Sequence, residues 1–168
     1  MKELDCRFTA ENQYFQFRVG AIIVENGCVL FASNANSGCY YSIGGGVHMG
    51  ETAEDAVLRE VYEETGVRYE IDRLAVIHEN FTEKFGKMKG FDFHEVCLYF
   101  LMKPRGTQEL HSDSCTRFGD KEEMHWIPIE ELGNYRAFPS FLADYLGREH
   151  IGIEHIITDE RNNESNQE

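Results

Sequence analysis

Hydrophobic and polar positions in the first part of the chain predict a strand, a turn and a second strand. The segment 14–33 opens with YFQFRVGAIIV, which is rich in aromatic and β-branched residues, and passes through the turn signal ENG into CVLFAS. The loop NANSG and a short strand, CYYSI, follow. The stretch GGGVHMGE holds four glycines in eight residues and is therefore expected to form an irregular, shaped loop.

The segment 52–65 has the pattern and the end signals of a helix. Thr52 stands three residues before Asp55, as in a capping box, and Gly66 occupies the place of a left-handed C-terminal cap. Two strands are then predicted, YEIDRLAVIHENF and FDFHEVCLYFLM, and the loop TEKFGKMKG joins them. EEMHWIPIEEL predicts a strand and a short helix that begins near Pro128, and SFLADYLG predicts a second helix. This order favours an α+β fold with a mixed sheet.

Chain length and composition set the domain organisation. A chain of 168 residues suits one domain with a tail. We assign residues 1–13 to an N-terminal extension and residues 14–157 to the folded domain. Residues 158–168 form an acidic tail that is predicted to be disordered, because it is polar and lacks aromatic residues.

The net charge of −14 restricts the partners of the protein, because it disfavours direct contact with nucleic acid or with an anionic membrane. A substrate that carries phosphates would need a divalent cation as mediator. The five cysteines include no CxxC pair, which favours reduced thiols over a metal cluster or a disulfide framework. Without a secretory signal or a membrane-spanning run, the sequence predicts a cytoplasmic protein.

Three acids, Glu60, Glu63 and Glu64, are crowded into the segment REVYEETG. At about 100° per residue they share an arc of about 100° that continues the small apolar stripe of the helix, so we expect them to be half-buried. Two carboxylates about 4 Å apart repel by roughly 4 kcal/mol at an effective dielectric of about 20, so raised pKa values or bound cations are required. Oxygen ligands favour Mg²⁺ or Mn²⁺. An exposed charged helix face is the alternative.

The spacing around these acids resembles the Nudix box. Five residues separate Gly45 from Glu51, and seven more lead to REVYEETGV at 59–67, so that all nine constrained positions match. The flanking pattern over about 14–147 is similar to the rest of a Nudix hydrolase domain of the MutT type. This resemblance implies the Nudix fold, an α/β/α sandwich around a mixed β-sheet. It also implies hydrolysis of a nucleoside diphosphate linked to another moiety, with Mg²⁺ or Mn²⁺ as cofactor.

The resemblance also implies roles for individual box residues. The implied mechanism is attack by a metal-activated water, with a carboxylate as general base, for which we favour Glu63. Arg59 lies four residues before Glu63 and is expected to pair with it, while Glu51 helps to fix the loop. The candidate catalytic residues are Glu63, Glu60, Glu64, Arg59 and Glu51. The candidate metal ligands are Glu60, Glu63, Glu64, the carbonyl of Gly45, and Glu95 outside the box.

Candidates outside the box come from the strand and loop patterns. Glu95 shares a strand face with Phe93, Cys97 and Tyr99, where an acid is costly unless it is paired or metal-bound. It is the second candidate for the general base. The lysine-rich loop TEKFGKMKG suits a lid over phosphates, with a solubilising hairpin as the alternative. The predicted substrate contacts are Arg18, Tyr41, Phe81 and Lys87.

The predicted function is therefore Mg²⁺-dependent hydrolysis of a pyrophosphate bond in a nucleotide or a nucleotide conjugate. The expected partner is a small nucleotide-type substrate, with no membrane and no stable nucleic-acid complex, and the resemblance allows a homodimer. A catalytically silent, nucleotide-binding regulatory module is the alternative. Such modules usually lose acids of the box, and none is lost here. A plain acidic interaction domain would leave the spacing of loop and helix unexplained.

Overall fold

The protein forms a mixed β-sheet flanked by helices. The computed structural model describes residues 4–83, 89–116 and 118–161. The strands are β1 (Arg7–Ala10), β2 (Gln13–Ile22), β3 (Val24–Glu25), β4 (Cys28–Asn34), β5 (Tyr40–Gly46), β6 (Ile71–Glu83), β7 (Asp92–Met102), β8 (Glu122–Pro128), β9 (Ala137–Phe138) and β10 (Glu154–Asp159). The helices are α1 (Ala53–Thr65), α2 (Leu142–Leu146) and a 3-10 helix at Ile129–Asn134. The main path of the sheet is β10-β6-β7-β2-β5-β4-β3, and β1, β8 and β9 pair with β2, β4 and β5. The β2–β7, β6–β10 and β5–β9 pairs are parallel and the others antiparallel, so the sheet is mixed as predicted.

Each face of the sheet buries its own hydrophobic cluster, because successive residues of a strand point to opposite faces. On one face, Val57 and Val61 of α1 pack with inward-facing residues such as Val19 of β2. On the other face, Leu142 and Tyr145 of α2 pack with residues that include Cys97 and Tyr99 of β7. This α/β/α layering agrees with the predicted α+β class.

The ends of α1 follow the predicted signals. The Thr52 side chain accepts a hydrogen bond from the Asp55 amide at 3.1 Å, and the Gly66 amide donates to the Tyr62 carbonyl at 2.9 Å. Gly66 has a φ of 71°, and a Cβ at this position would lie 2.2 Å from the carbonyl oxygen of His111. A glycine therefore both ends the helix and lets the connection between β7 and β8 approach it.

The glycine-rich segment differs from the prediction. Gly44, Gly45 and Gly46 were expected in an irregular loop, but they form the end of β5 and pair with β2, Gly45 opposite Val19. Gly44 has a φ of 144°, and a Cβ there would lie 2.2 Å from the Val19 carbonyl oxygen. The loop prediction was wrong for residues 44–46, because glycine is used there for close backbone approach within a sheet, and it holds for residues 47–51.

Two strands extend past the predicted domain boundaries. Residues 7–10 of the predicted extension form β1, and Thr158 and Asp159 belong to β10 instead of to a disordered tail. Residues 162–168 lie outside the described part of the chain, so the division into extension, domain and tail stays a prediction. Among the described residues, no helix combines the length and the apolar character needed to cross a bilayer.

Candidate active site

A cleft of about 830 Å³ opens between α1, β2 and β5. Residues from the β7–β8 connection and from the start of β8 close it on the other side. The predicted metal ligands of the box line this cleft together with two of the predicted substrate contacts. They are Gly45, Glu60, Glu63 and Glu64, with Arg18 and Tyr41.

The carboxylate of Glu60 occupies the space beside Gly45. A Cβ on Gly45 would lie 2.3 Å from the carboxyl carbon of Glu60, so only glycine leaves room for this side chain. Arg59 Nη1 donates to Glu60 Oε1 at 2.6 Å. Burial raises the pKa of Glu60, and the hydrogen bond and charge of Arg59 offset this only in part.

Glu64 is the most buried acid of the cleft, with 8% of its surface exposed. Its Oε1 accepts a hydrogen bond from the Gly44 amide at 2.8 Å. Burial nevertheless raises the pKa of Glu64 well above its ordinary value, and the charges of Glu122 and Glu60 add to the effect. A carboxylate in this place is stabilised by a proton or by a nearby cation.

Glu63 differs from the other two acids, because 59% of its side chain is exposed. The expectation of half-buried acids thus holds for Glu60 and Glu64 but is wrong for Glu63. As predicted, Glu63 lies near Arg59, with Oε2 at 3.5 Å from Nη1. Within the described residues, no three His, Cys, Asp or Glu side chains converge closely enough to hold one ion as they stand. The all-oxygen donor set in this open cleft fits a hard divalent cation, which would gather the exposed Glu63.

Arg59, in the middle of α1, ties Glu51 before the helix to the glycine end of β5. Its Nε and Nη2 donate to the two oxygens of Glu51 at 2.8 and 3.0 Å, and Nη2 also donates to the Gly46 carbonyl at 3.0 Å. The Glu51 carboxylate also accepts from the His48 amide at 3.0 Å. The bond from Arg59 lowers the pKa of Glu51, so this pair stays charged. Glu51 therefore holds Arg59 and the His48 amide in place, and its predicted role in fixing the loop stays a prediction.

Arg59→Lys is expected to lower kcat by about tenfold, because lysine lacks the planar fork that spans Glu51 and the Gly46 carbonyl. The free energy of unfolding in urea should fall by about 1–3 kcal/mol, since partly buried acceptors lose their donor. Arg148→Lys is the matched control, because Arg148 pairs with Glu154 away from the cleft. Unchanged turnover in Arg59→Lys would contradict the assigned role.

Glu95 is buried on the strand face that the sequence predicted, beside Phe93, Cys97 and Tyr99. Its carboxylate accepts a hydrogen bond from the side-chain amide of Gln16 and lies 3.7 Å from Arg18 Nη1. The cost of burying this acid is thus relieved by an arginine. Its predicted role as a metal ligand stays a prediction.

The predicted substrate contacts fall into different places. Arg18 and Tyr41 line the cleft. Phe81 stacks on His94 with ring centroids 4.3 Å apart, on the face of β7 opposite to Glu95. Lys87 lies outside the described residues. The roles of all four as substrate contacts stay predictions.

Sequence reasoning missed Glu122, an acid of the cleft. Its two carboxylate oxygens accept from the Tyr41 hydroxyl and from Ser114 Oγ, each at 2.6 Å. The antiparallel register of β4 and β8 brings it here, since Asn34 pairs with Glu122 and donates to the Tyr41 hydroxyl at 3.1 Å. No local signal marks this acid, because its place depends on strand register.

The chain is similar to known proteins in both sequence and fold. A model described as NUDIX domain matches residues 15–146. A MutT-like protein from Streptomyces ambofaciens is 35% identical over 118 residues, which cover 70% of this chain and 66% of that protein. The chain thus spans about two thirds of the length of that relative.

Solved structures agree on the fold. The MutT protein from Methanosarcina mazei Go1 is 20% identical with a TM-score of 0.61, covering 83% of this chain and 95% of that one. The MutT protein from Bacillus halodurans is 18% identical with a TM-score of 0.61, covering 86% and 91%. Together with the family model, which matches most of the chain, these likenesses lead to one conclusion: the chain belongs to the NUDIX family.

Proposed function

We propose that this protein hydrolyses a pyrophosphate bond in a nucleoside diphosphate linked to another moiety, and that it requires Mg²⁺ or Mn²⁺. The observation that carries the proposal is a pair of carboxylates, the half-buried Glu60 and the buried Glu64, which face the glycine end of β5 with raised pKa values. Such a pair is stabilised by a cation, and a cation makes an acidic cleft attractive to a diphosphate.

The residues that would hold the ion are Glu60, Glu63, Glu64 and the carbonyl of Gly45. A bound divalent ion supplies charge neutralisation for the phosphate oxygens and lowers the pKa of a coordinated water. Arg59 keeps Glu60 in place through its bond to Oε1. Glu63 is exposed in the cleft, so its carboxylate is accessible to a water molecule and can accept its proton as general base.

A silent regulatory module is the second candidate function. It would need the same cleft but no general base and no activation of water. The exposed Glu63 favours the enzyme, because its carboxylate is accessible to water and can act as a general base, a role that a purely binding site does not need. Turnover distinguishes the two functions.

The deciding experiment is a hydrolysis screen over nucleoside triphosphates, ADP-ribose, nucleotide sugars and dinucleoside polyphosphates, in which anion-exchange chromatography resolves the nucleotide products. At least one compound should be cleaved with Mg²⁺ or Mn²⁺, and EDTA should abolish the cleavage, because the carboxylates alone repel the substrate. The double variant Glu60→Gln/Glu64→Gln serves as the matched inactive control. Binding of a nucleotide without turnover would assign the silent module, and neither binding nor turnover would refute the proposal.

A further inference from the structure

The guanidinium of Arg18 links the buried Glu95 to the glycine end of β5. Arg18 Nη2 donates to the Gly44 carbonyl at 3.1 Å, and Nη1 lies 3.7 Å from Glu95 Oε2. Glu95 is only 7% exposed and also accepts from the Gln16 side-chain amide. Arg18 is therefore held between a carboxylate on β7 and a carbonyl on β5.

The Gly44 peptide continues this chain of contacts into the carboxylate cluster. The Gly44 amide donates to Glu64 Oε1 at 2.8 Å, so Gly44 is bonded through both its carbonyl and its amide. Its φ of 144° and the 2.2 Å that would separate a Cβ from the Val19 carbonyl oxygen restrict this position to glycine. A shift of Arg18 would thus be transmitted through the Gly44 backbone to the Glu64 carboxylate.

Arg59 makes a similar arrangement on the other side of Gly45. Arg59 pairs with Glu51 and donates to the Gly46 carbonyl at 3.0 Å. The two arginines therefore hold the backbone on either side of Gly45, beside which the Glu60 carboxylate lies. One carboxylate–arginine pair belongs to the box, and the other, formed by Arg18 and Glu95, lies outside it.

Protein groups already surround the Glu95 carboxylate. It accepts from the Gln16 side-chain amide, lies 3.7 Å from Arg18 Nη1 and is only 7% exposed. Glu60 also has a guanidinium beside it, but Glu60 lines the cleft. Glu95 does not line the cleft, whereas Arg18 does.

We propose that Arg18 and Glu95 are positioning residues that act on Glu64 through the Gly44 peptide, and that Glu95 does not itself bind the metal. The part of this inference that concerns metal and turnover rests on the proposed function. The contact chain from Glu95 through Arg18 and Gly44 to Glu64 does not, and it is tested separately.

A double-mutant cycle in Mn²⁺ affinity separates positioning from direct ligation. Arg18→Gln, Glu95→Gln and the double variant are titrated with Mn²⁺ alone, and free Mn²⁺ is followed by electron paramagnetic resonance. Each single change should raise the Kd about tenfold, and the double variant should stay within about twofold of Arg18→Gln, because either change breaks the same chain. If the Kd increases of the two single variants multiply in the double variant, Glu95 binds the metal independently of Arg18, and the proposal is overturned.

Steady-state kinetics on a cleaved substrate give a second readout. A positioning role should lower kcat in Arg18→Gln and leave KM within about threefold of the wild-type value. A raised KM with unchanged kcat would make Arg18 a substrate contact, and would overturn the proposal.

The Gly44 amide resonance reports on the contact chain without metal or substrate. In ¹⁵N-labelled protein, both single variants should shift this resonance, because the peptide bonded to Glu64 loses its second anchor. An unmoved resonance would refute the chain even if the protein neither binds Mn²⁺ nor cleaves any compound. Failure of this inference is thereby distinguishable from failure of the proposed function.

Glu79→Gln is the matched control, because Glu79 lies on the neighbouring strand β6 and pairs with the exposed His155. It removes the same charge and should leave Mn²⁺ affinity unchanged. Thermal unfolding identifies any variant that does not fold. If Glu95→Gln alone fails to fold, the double variant removes both charges of the pair, and its comparison with Arg18→Gln still decides: equal affinity supports positioning, and a further tenfold loss contradicts it.

Discussion

Replacing Glu63 with glutamine is expected to lower kcat by a hundredfold or more, on the order of 3 kcal/mol of barrier. Glutamine keeps the shape of the side chain, but its neutral amide is a poor ligand for a hard cation and cannot accept a proton as a base. The side chain is 59% exposed, so the fold should be unaffected. The measurement is kcat at saturating Mg²⁺, with thermal unfolding recorded on the same preparation.

Glu54→Gln is the control for this change. Glu54 is exposed in the first turn of the same helix and lies outside the cleft, so the substitution removes an equal charge without touching the site. Its turnover should match the wild type. If Glu63→Gln also turns over like the wild type, Glu63 has no part in the mechanism, and the general base must be sought among the other acids of the cleft.

The environments of the acids explain why Glu63 is the favoured base. Glu60 is bonded to Arg59, and Glu64 is bonded to the Gly44 amide, so both are oriented by the protein. Glu95 is paired with Arg18 and does not line the cleft. Glu63 combines exposure with a place in the cleft, as the transfer of a proton from water requires.

Local patterns predicted the parts of the site that lie close together in sequence. The caps of α1 follow from Thr52 and Gly66, and the buried face of Glu95 follows from strict alternation along β7. The contacts between Arg18 and Gly44 and between Tyr41 and Glu122 were not predicted. They depend on which strands pair and in which register, and hydrophobic periodicity leaves both undetermined.

The wrong loop prediction for residues 44–46 also arose because strand pairing is not visible in the local sequence. Three consecutive glycines weaken a strand on propensity alone, so composition favours a loop. Pairing with β2 overrides that preference, because Gly44 meets the Val19 carbonyl and Gly45 meets the Glu60 carboxylate at distances that no side chain permits. The glycines therefore serve close approach, and a single added methyl group is a sensitive probe of the site.

Gly45→Ala is expected to leave the protein folded but to lower kcat and Mn²⁺ affinity by about a hundredfold. The backbone at Gly45 has no positive φ, so alanine adds no backbone strain. Its Cβ would lie 2.3 Å from the carboxyl carbon of Glu60. Since that group is the end of a flexible side chain, it should move away from the metal site while the fold persists.

The matched control is Gly133→Ala, at a glycine without positive φ where an added Cβ would meet no atom within 4 Å. Turnover, Mn²⁺ affinity and the unfolding midpoint are measured for both variants. Gly133→Ala should resemble the wild type in all three, and Gly45→Ala should differ in the first two. Wild-type Mn²⁺ affinity in Gly45→Ala would show that the Glu60 carboxylate is not a ligand. A large fall in its unfolding midpoint would mean that the backbone, and not the side chain, yields to the added methyl group.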